Sequence, residues 1–355
     1  MTIPVPAPMP TYRRWLPWAG ALLGLALLVW VLRGFDLNRF LTTLAGADLF
    51  YLALVPVGQA LEQLVRAWKW RQILSPLKLI GTLRLFGAVM AGYLIASLVP
   101  FGFGTIARSW IIARSDQLKL PAVLATVALD RITDGVIFAC LVPIALFAVA
   151  FADPTGDIRT GLVWSGAGSL VFFVLVGCAL WAYKSGMLSE QGRAIRLIER
   201  LPFRLSQPVS RMAISFSDGI VWPNDRWRGS AIMLASLGIK LLAASHFLWA
   251  GLAFGVVLAP SQYVFILVFL GFLIILGHFA RVAGSFIIGG IFALRLMEVP
   301  NEQALAMVLV VEAANLLLVA GIGALSMSWQ GINLRELRVS QGSADVRTGF
   351  ESDAA

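Results

Sequence analysis

The stretch LVPFGFGTIARSWIIARSDQLKLPAVLATVALDRITDG, residues 98–135, decides how this chain reads. It sits in strongly apolar sequence, yet it holds a Pro-Phe-Gly-Phe-Gly break at 100–104, then Arg108 and Arg114, then Asp130, Arg131 and Asp134. Charged groups flanked by long apolar runs are costly in a bilayer and mark functional positions there. The stretch therefore predicts a broken helix and a charged cluster at membrane depth, with the rest of the chain as its scaffold.

The composition agrees. Of 355 residues, 59% are hydrophobic and 13% are charged, against about 25% charged in a soluble domain. The fold class expected is an all-α polytopic membrane protein. The net charge is +9, from 28 Lys and Arg against 19 Asp and Glu. Basic residues collect in cytoplasmic loops, so the excess reports topology. No soluble basic domain is present to bind nucleic acid. Cys140 and Cys178 lie in apolar runs and form no disulfide framework. Zinc-ligand spacing, a P-loop and a dinucleotide fingerprint are all missing, so no metal and no cofactor is expected.

Residues 1–14 are Pro-rich and basic at their end, and are expected to be disordered. Arg13 and Arg14 precede an uncharged run from Trp15 to Leu32, which reads as a retained first span with the N-terminus cytoplasmic. Loop 33–48 balances its charges and suits the outside. A second span from about Leu49 to Val65 ends in RAWKWRQILSPLK, where Arg66, Lys69, Arg71 and Lys78 mark the cytoplasm. Loop 151–160 should be outside. Loop 184–228, with eight basic residues against four acidic, should be inside. Both hold if 79–118 is a re-entrant hairpin that enters and leaves on the cytoplasmic side, a shape tolerated at depth only where protein or water covers it. Apolar positions along 184–228 predict an amphipathic helix on the cytoplasmic leaflet.

The chain then repeats itself at an offset of 181. Trp68 falls on Trp249, Arg114 on Arg295, and Leu124, Ala125 and Val127 on Leu305, Ala306 and Val308. Arg131 falls on Glu312 and Asp134 on Asn315. The expected plan is about six full spans plus two re-entrant hairpins, eight apolar segments in all, arranged as an inverted repeat. The membrane domain covers 15–327, its halves about 49–150 and 230–327. A cytoplasmic tail, 328–355, follows. Inverted repeats of this kind place a transport site at the repeat interface.

On one helix, Asp130 and Asp134 are a turn apart and share a face, and Arg131 can reach Asp134. Buried charge demands pairing, so mutual pairing is expected within this cluster. It serves either as a staple between helices or as a head-group or proton-coupled site. Gly102 and Gly104 let the backbone turn and leave its amides open. With Arg108 and Arg114 they form an anion cradle suited to a phosphate, or else the two arginines snorkel to the interface. Gln59, Glu62 and Arg66 share a helical face, and Lys240 and His246 lie in a later span; these read as contacts between helices.

With these residues in hand, the chain resembles the lysylphosphatidylglycerol synthase transmembrane family, also called flippase-like. The family's first motif is a Pro–small–Gly turn, an acid, and Arg three positions on. It reads here as Pro100, Gly104, Thr105 and Arg108, with Thr105 in the acid's place. The acid-Arg-x-x-Asp pattern is matched by Asp130, Arg131 and Asp134. In the second half only Gly284 stands in the family's glycine turn. Ile287 takes the acid's place, Glu312 the arginine's and Asn315 the asparagine's. With Arg295 these form a diverged second site. The resemblance implies movement of a lipid between leaflets of the bacterial inner membrane, with Arg108, Asp130, Arg131 and Asp134 lining the head-group cavity. Its partner is a membrane lipid with an anionic or zwitterionic head group. No aminoacyl-transferase domain follows, so no enzyme is expected. Two other classes compete. One is a non-transporting accessory protein of a lipid or hopanoid pathway. The other is an intramembrane prenyl or phosphatidyl transferase, for which the D-x-x-x-D-G of 130–135 would need a second Asp cluster to hold metal.

Overall fold

The computed structural model describes residues 35–98, 103–147, 156–182, 219–223, 225–280 and 284–329, with Ala26, Val29 and Val149 besides. The expected first span, most of loop 184–228, Pro100 to Gly102, and the tail beyond 329 lie outside the described residues. Among those described, ten helices and no strands are found. They are α1 (Leu37–Ala45), α2 (Leu49–Leu74), α3 (Thr82–Leu98), α4 (Phe103–Asp116), α5 (Leu120–Phe147), α6 (Asp157–Ala182), α7 (Arg226–Ala253), α8 (Pro260–Ala280), α9 (Ser285–Leu296) and α10 (Asn301–Trp329).

Two of these depart from the sequence reading. Loop 33–48 contains α1, which Asp36 starts by accepting bonds from the amides of Asn38 and Arg39 at 2.9 and 3.2 Å. An acidic cap satisfies amides that a helix end leaves open, so a charge-balanced segment still turns helical. The second correction is larger. The second span does not stop at Val65: α2 continues through RAWKWRQIL to Leu74. Lys69 is fully buried and Arg66 nearly so. Burial sets these two apart from the solvated loop charges that the sequence reading made them. They are interior cations.

Each helical hairpin expected from the apolar breaks is present as two packed helices. In the first, a Cβ on Gly92 of α3 would lie 2.7 Å from the Gly104 carbonyl oxygen and 3.0 Å from Arg108 Cβ. Only glycine at both positions lets the α3 and α4 backbones approach this closely. Gly92→Val is therefore expected to overpack the hairpin at a cost of about 1–3 kcal/mol. A thermal melt of the detergent-solubilised protein should drop clearly for Gly92→Val. Gly81→Ala, whose Cβ meets nothing within 4 Å, should melt as wild type. Equal melts for both would show that the close approach is not needed. The second hairpin, α8 and α9, breaks at Gly284, whose φ of +75° requires glycine. The two hairpins end alike. Gln117 after α4 and Glu298 after α9 have φ of +56° and +59°. The amide of Leu118 then donates to Ala113 O at 2.9 Å, and that of Val299 to Leu294 O at 3.1 Å. Both are the six-to-one bond of a Schellman cap.

The chain divides into two compact units whose boundaries fall inside α2, α5, α6, α7 and α10. The first comprises Met1–Glu62, Ile132–Ala179 and Ser236–Asn315, and so holds α8 and α9 with the second part of α7 and the first part of α10. Its core is built around Val55, Phe247, Phe265, Ile266 and Met307. The other comprises Gln63–Arg131, Leu180–Ala235 and Leu316–Ala355, and holds α3 and α4 with the second part of α2 and the first part of α5. Trp70, Leu85, Val89, Ile112 and Val123 lie in its core.

Polarity is inverted relative to a soluble protein. Lys69 and Asp130 are fully buried, while Phe147 is 86% exposed and Leu49 and Val257 are each 78% exposed. Large apolar surface of this kind is unfavourable in water and suits hydrocarbon. Among the described helices, α7 and α10 are long and apolar enough to cross a bilayer by themselves, and α1 with α2, bent by 86°, makes a third if counted as one broken span. The protein is a helical membrane protein.

Candidate functional site

The site builds from three helices of the second unit. Lys69 lies 20 residues into α2, Arg108 in the second turn of α4, and Asp130 10 residues into α5. Asp130 is the centre. Lys69 Nζ lies 2.8 Å from its Oδ1 and also donates to its backbone carbonyl at 3.1 Å. Arg108 Nη2 approaches Oδ2 from the other side at 3.4 Å. Lys69 and Asp130 have no exposed side-chain surface, and Arg108 has 3%. Arg66 and Arg131 add further positive field at the carboxylate. One anion is thus set among several cations in a place where uncompensated charge is expensive.

Arg108 is held unequally. Its guanidinium carbon sits 5.1 Å from the centre of the Trp70 ring, in cation–π range. Trp70 is fixed in turn, its Nε1 donating to Thr126 Oγ1 at 3.0 Å, and Thr126 donating to Val123 O at 2.7 Å. With one face on the indole and Nη2 on Asp130, Arg108 keeps Nε and Nη1 buried without a hydrogen-bond acceptor among the described residues. A buried donor left unmet costs about 1–3 kcal/mol. The two donors lie on opposite edges of one planar cation, and each can take an oxygen of a phosphate or carboxylate in a charge-assisted bond.

The expected pairing within 130–134 is therefore corrected. Asp130 is paired by Lys69 and Arg108, from other helices, and Arg131 is exposed. On α5 the side chain after Asp130 points about 100° away around the axis, so neighbours in sequence cannot share one buried pocket. Asp134, a turn further on, is buried and falls in the first unit. The shared cradle of Arg108 and Arg114 is corrected too. Both lie on α4, but Arg114 is exposed and stacks over Trp110, its guanidinium carbon 5.1 Å from that ring. Gly104 belongs to the first turn of α4 and serves the close contact with Gly92. Gly102 lies outside the described residues.

The first unit carries its own buried polar groups. His246 Nε2 of α7 lies 3.7 Å from Glu62 Oε2 of α2. Gln59 Nε2 donates to Val311 O of α10 at 2.9 Å. Lys240 lies over the Phe138 ring at 5.5 Å. These are contacts between helices, as the sequence predicts. Of the diverged second site, Arg295 and Glu312 are half-buried and Asn315 is exposed.

Lys69 is the residue that sequence reasoning missed. A signal was available. Gln59, Glu62, Arg66 and Lys69 recur at intervals of 3, 4 and 3, the period of one helical stripe. All four are buried.

The profile of the family described as "Lysylphosphatidylglycerol synthase TM region" matches residues 18–323. No curated protein and no solved structure matches the chain.

Proposed function

We propose that this chain, which belongs to the lysylphosphatidylglycerol synthase TM region family, moves a polar-headed lipid between the leaflets of the bacterial inner membrane and is not an enzyme. The observation that carries this reading is the buried cluster of Lys69, Asp130 and Arg108, in which two donors of Arg108 meet no acceptor among the described residues. In the proposed mechanism an oxygen of the lipid phosphate accepts from Arg108 Nε or Nη1, the donors on the two edges of the guanidinium that Asp130 leaves open. Trp70 backs the guanidinium, and Asp130, held by Lys69, limits how far it swings. The acyl chains stay in the bilayer. Arg108 is 2% exposed, so the described state is closed, and the head group enters when the hairpin carrying α4 moves away. Transport runs down the gradient of the lipid or is coupled to an ion.

Alternating access needs two halves that can rock. Support for an internal repeat comes from the helices themselves. The order of a long helix, a two-helix hairpin and a long helix occurs over α2–α5 and again over α7–α10. Gln117 and Glu298, the two non-glycine residues of positive φ among those described, are 298 − 117 = 181 positions apart. That is the offset at which the sequence matches itself. Each hairpin also groups with the second part of the long helix before it and the first part of the one after it. We read these as inverted halves with six full spans, two re-entrant hairpins and both termini cytoplasmic.

A fully buried Lys69–Asp130 pair would equally serve as a helix staple in a non-transporting accessory protein. Reconstitution separates the two. Purified protein in liposomes, given labelled lipids with anionic, zwitterionic and aminoacylated head groups, is expected to speed leaflet exchange of at least one. Exchange of none overturns translocation and leaves the staple. Exchange that survives in folded Arg108→Gln overturns the site.

A further inference from the structure

The nine residues of α1 make about 14 Å of helix, half of the roughly 30 Å needed to cross the hydrocarbon of a bilayer. The helix meets α2 at 86° across the break at 46–48. Its residues divide by face. Leu37, Leu41 and Leu44 recur at intervals of 4 and 3, the period of one helical stripe, and Asn38, Arg39 and Thr42 fall on the other side. The three leucines are 62%, 51% and 42% exposed. Phe40 turns instead to the core of the first unit, its ring 5.4 Å from that of Phe35.

The corner between α1 and α2 is pinned. The Gly46 amide closes α1 by donating to Thr42 O at 3.0 Å, and the Asp48 amide donates to Ala253 O at the end of α7 at 2.9 Å. Asp48 then opens α2, its Oδ1 accepting from the amide of Phe50 at 2.8 Å. Ala47 packs on the same core as Phe40. Swinging α1 into line with α2 would break these contacts. Past the corner, Leu49 and Phe50 are again exposed, at 78% and 67%. Tyr51, in the first turn of α2, stacks on Trp249 of α7 with ring centres 6.5 Å apart. Such amphipathic rings concentrate at the depth of lipid head groups. Carrying α1 into the hydrocarbon would take Asp36, Arg39 and Asp48 with it, at high cost.

We infer that α1 is an interfacial helix that docks on the lipid leaflet at the start of α2, with Leu37, Leu41 and Leu44 in the acyl-chain boundary and Asn38, Arg39 and Thr42 facing water. Helices of this kind sit about 5–10 Å into that boundary. Lipid fits the stripe better than a second copy of the chain does. A stable protein interface takes about 800 Å² from each partner, and three leucines exposed by about half supply a small part of that. The lipid charge is immaterial, because Arg39 is answered by Asp36 at 3.5 Å on the same helix and apolar burial supplies the attraction. The inference rests on the reading of α2 as a membrane span and is independent of translocation at Arg108.

Spin labels on the full chain in phosphatidylcholine liposomes test it. Cys140→Ser and Cys178→Ser remove the native thiols, and Leu37→Cys, Asn38→Cys, Leu41→Cys, Thr42→Cys and Leu44→Cys are labelled one at a time. Power saturation then compares oxygen, which concentrates in hydrocarbon, with a water-soluble nickel chelate. Labels at 37, 41 and 44 should favour oxygen severalfold, and labels at 38 and 42 should favour nickel. Vesicles that include phosphatidylglycerol should give the same pattern. One folded variant from each face is enough to read it, so loss of a single variant does not remove the test. Oxygen access on both faces would put α1 inside the bilayer as part of a broken span and overturn the inference. Nickel access on both faces would put it in water, with the same result. Leucine-face labels closed to both reagents, with dipolar broadening that fades on dilution with unlabelled protein, would make a second copy the occupant and overturn it too.

Discussion

Asp130→Ala is expected to destabilise the protein by about 3–5 kcal/mol, the cost of stripping one partner from a buried ion pair. The carboxylate is the anion that Lys69 and Arg108 both contact, at 2.8 and 3.4 Å. Without it Lys69 keeps a full charge in a position of zero exposure. The solubilised variant should aggregate or melt far below wild type. Lys69→Met combined with Asp130→Leu provides the internal control. Removing both charges together spares Lys69 and leaves only Arg108 without its carboxylate, so the double variant should recover part of the loss. If the double variant melts clearly above Asp130→Ala, the pair is a matched charge couple. If Asp130→Ala itself melts as wild type, the carboxylate is not the structural centre described here.

Arg108→Gln is expected to behave in the opposite way. Its contact with Asp130 is the longer of the two, and two of its donors find no acceptor among the described residues. Removing it therefore gives up little pairing and relieves a desolvated cation. Stability should change by no more than about 1 kcal/mol. Lipid exchange should fall much further. A charge-assisted hydrogen bond to a phosphate represents about 1.5–3 kcal/mol, or roughly 10-fold to 150-fold in rate if it forms on the path between leaflets. Arg108→Lys, which keeps the charge but not the planar guanidinium on Trp70, should recover only part of the loss. The measurement is leaflet exchange in liposomes beside a melt of the same preparation. A variant that melts lower but exchanges as wild type would assign Arg108 to the scaffold.

The contrast between these variants shows where sequence and structure divide the information. Asp130 and Arg108 are legible in the sequence because charge inside an apolar run has few benign explanations. Their partner is not. Lys69 stands in a run with Arg66, Arg71 and Lys78, and the positive-inside rule reads such a run as a cytoplasmic flank. The rule is statistical over loops, and it does not say which of these charges are buried when the helix continues, as α2 does to Leu74. Arg108 and Arg114 show the same limit. Six positions apart on one helix, they look like one cradle in sequence, yet one is buried on Asp130 and the other stacks on Trp110 at the surface.

The sequence by itself determined that this is a helical membrane protein of this family, because the excess of apolar residues, the broken segments and the short charged motifs are local properties of the chain. It also placed the hairpin breaks, since Gly-rich interruptions of apolar helices are written at the positions where they act. Only the tertiary structure decided which charges meet. The match of Lys69 to Asp130 spans 130 − 69 = 61 positions. It depends on how α2, α4 and α5 pack, through the Gly92–Gly104 contact and the Trp70 plate. A buried charge selects its partner by distance and desolvation in the packed interior, and neither quantity is encoded in the spacing of residues along the chain.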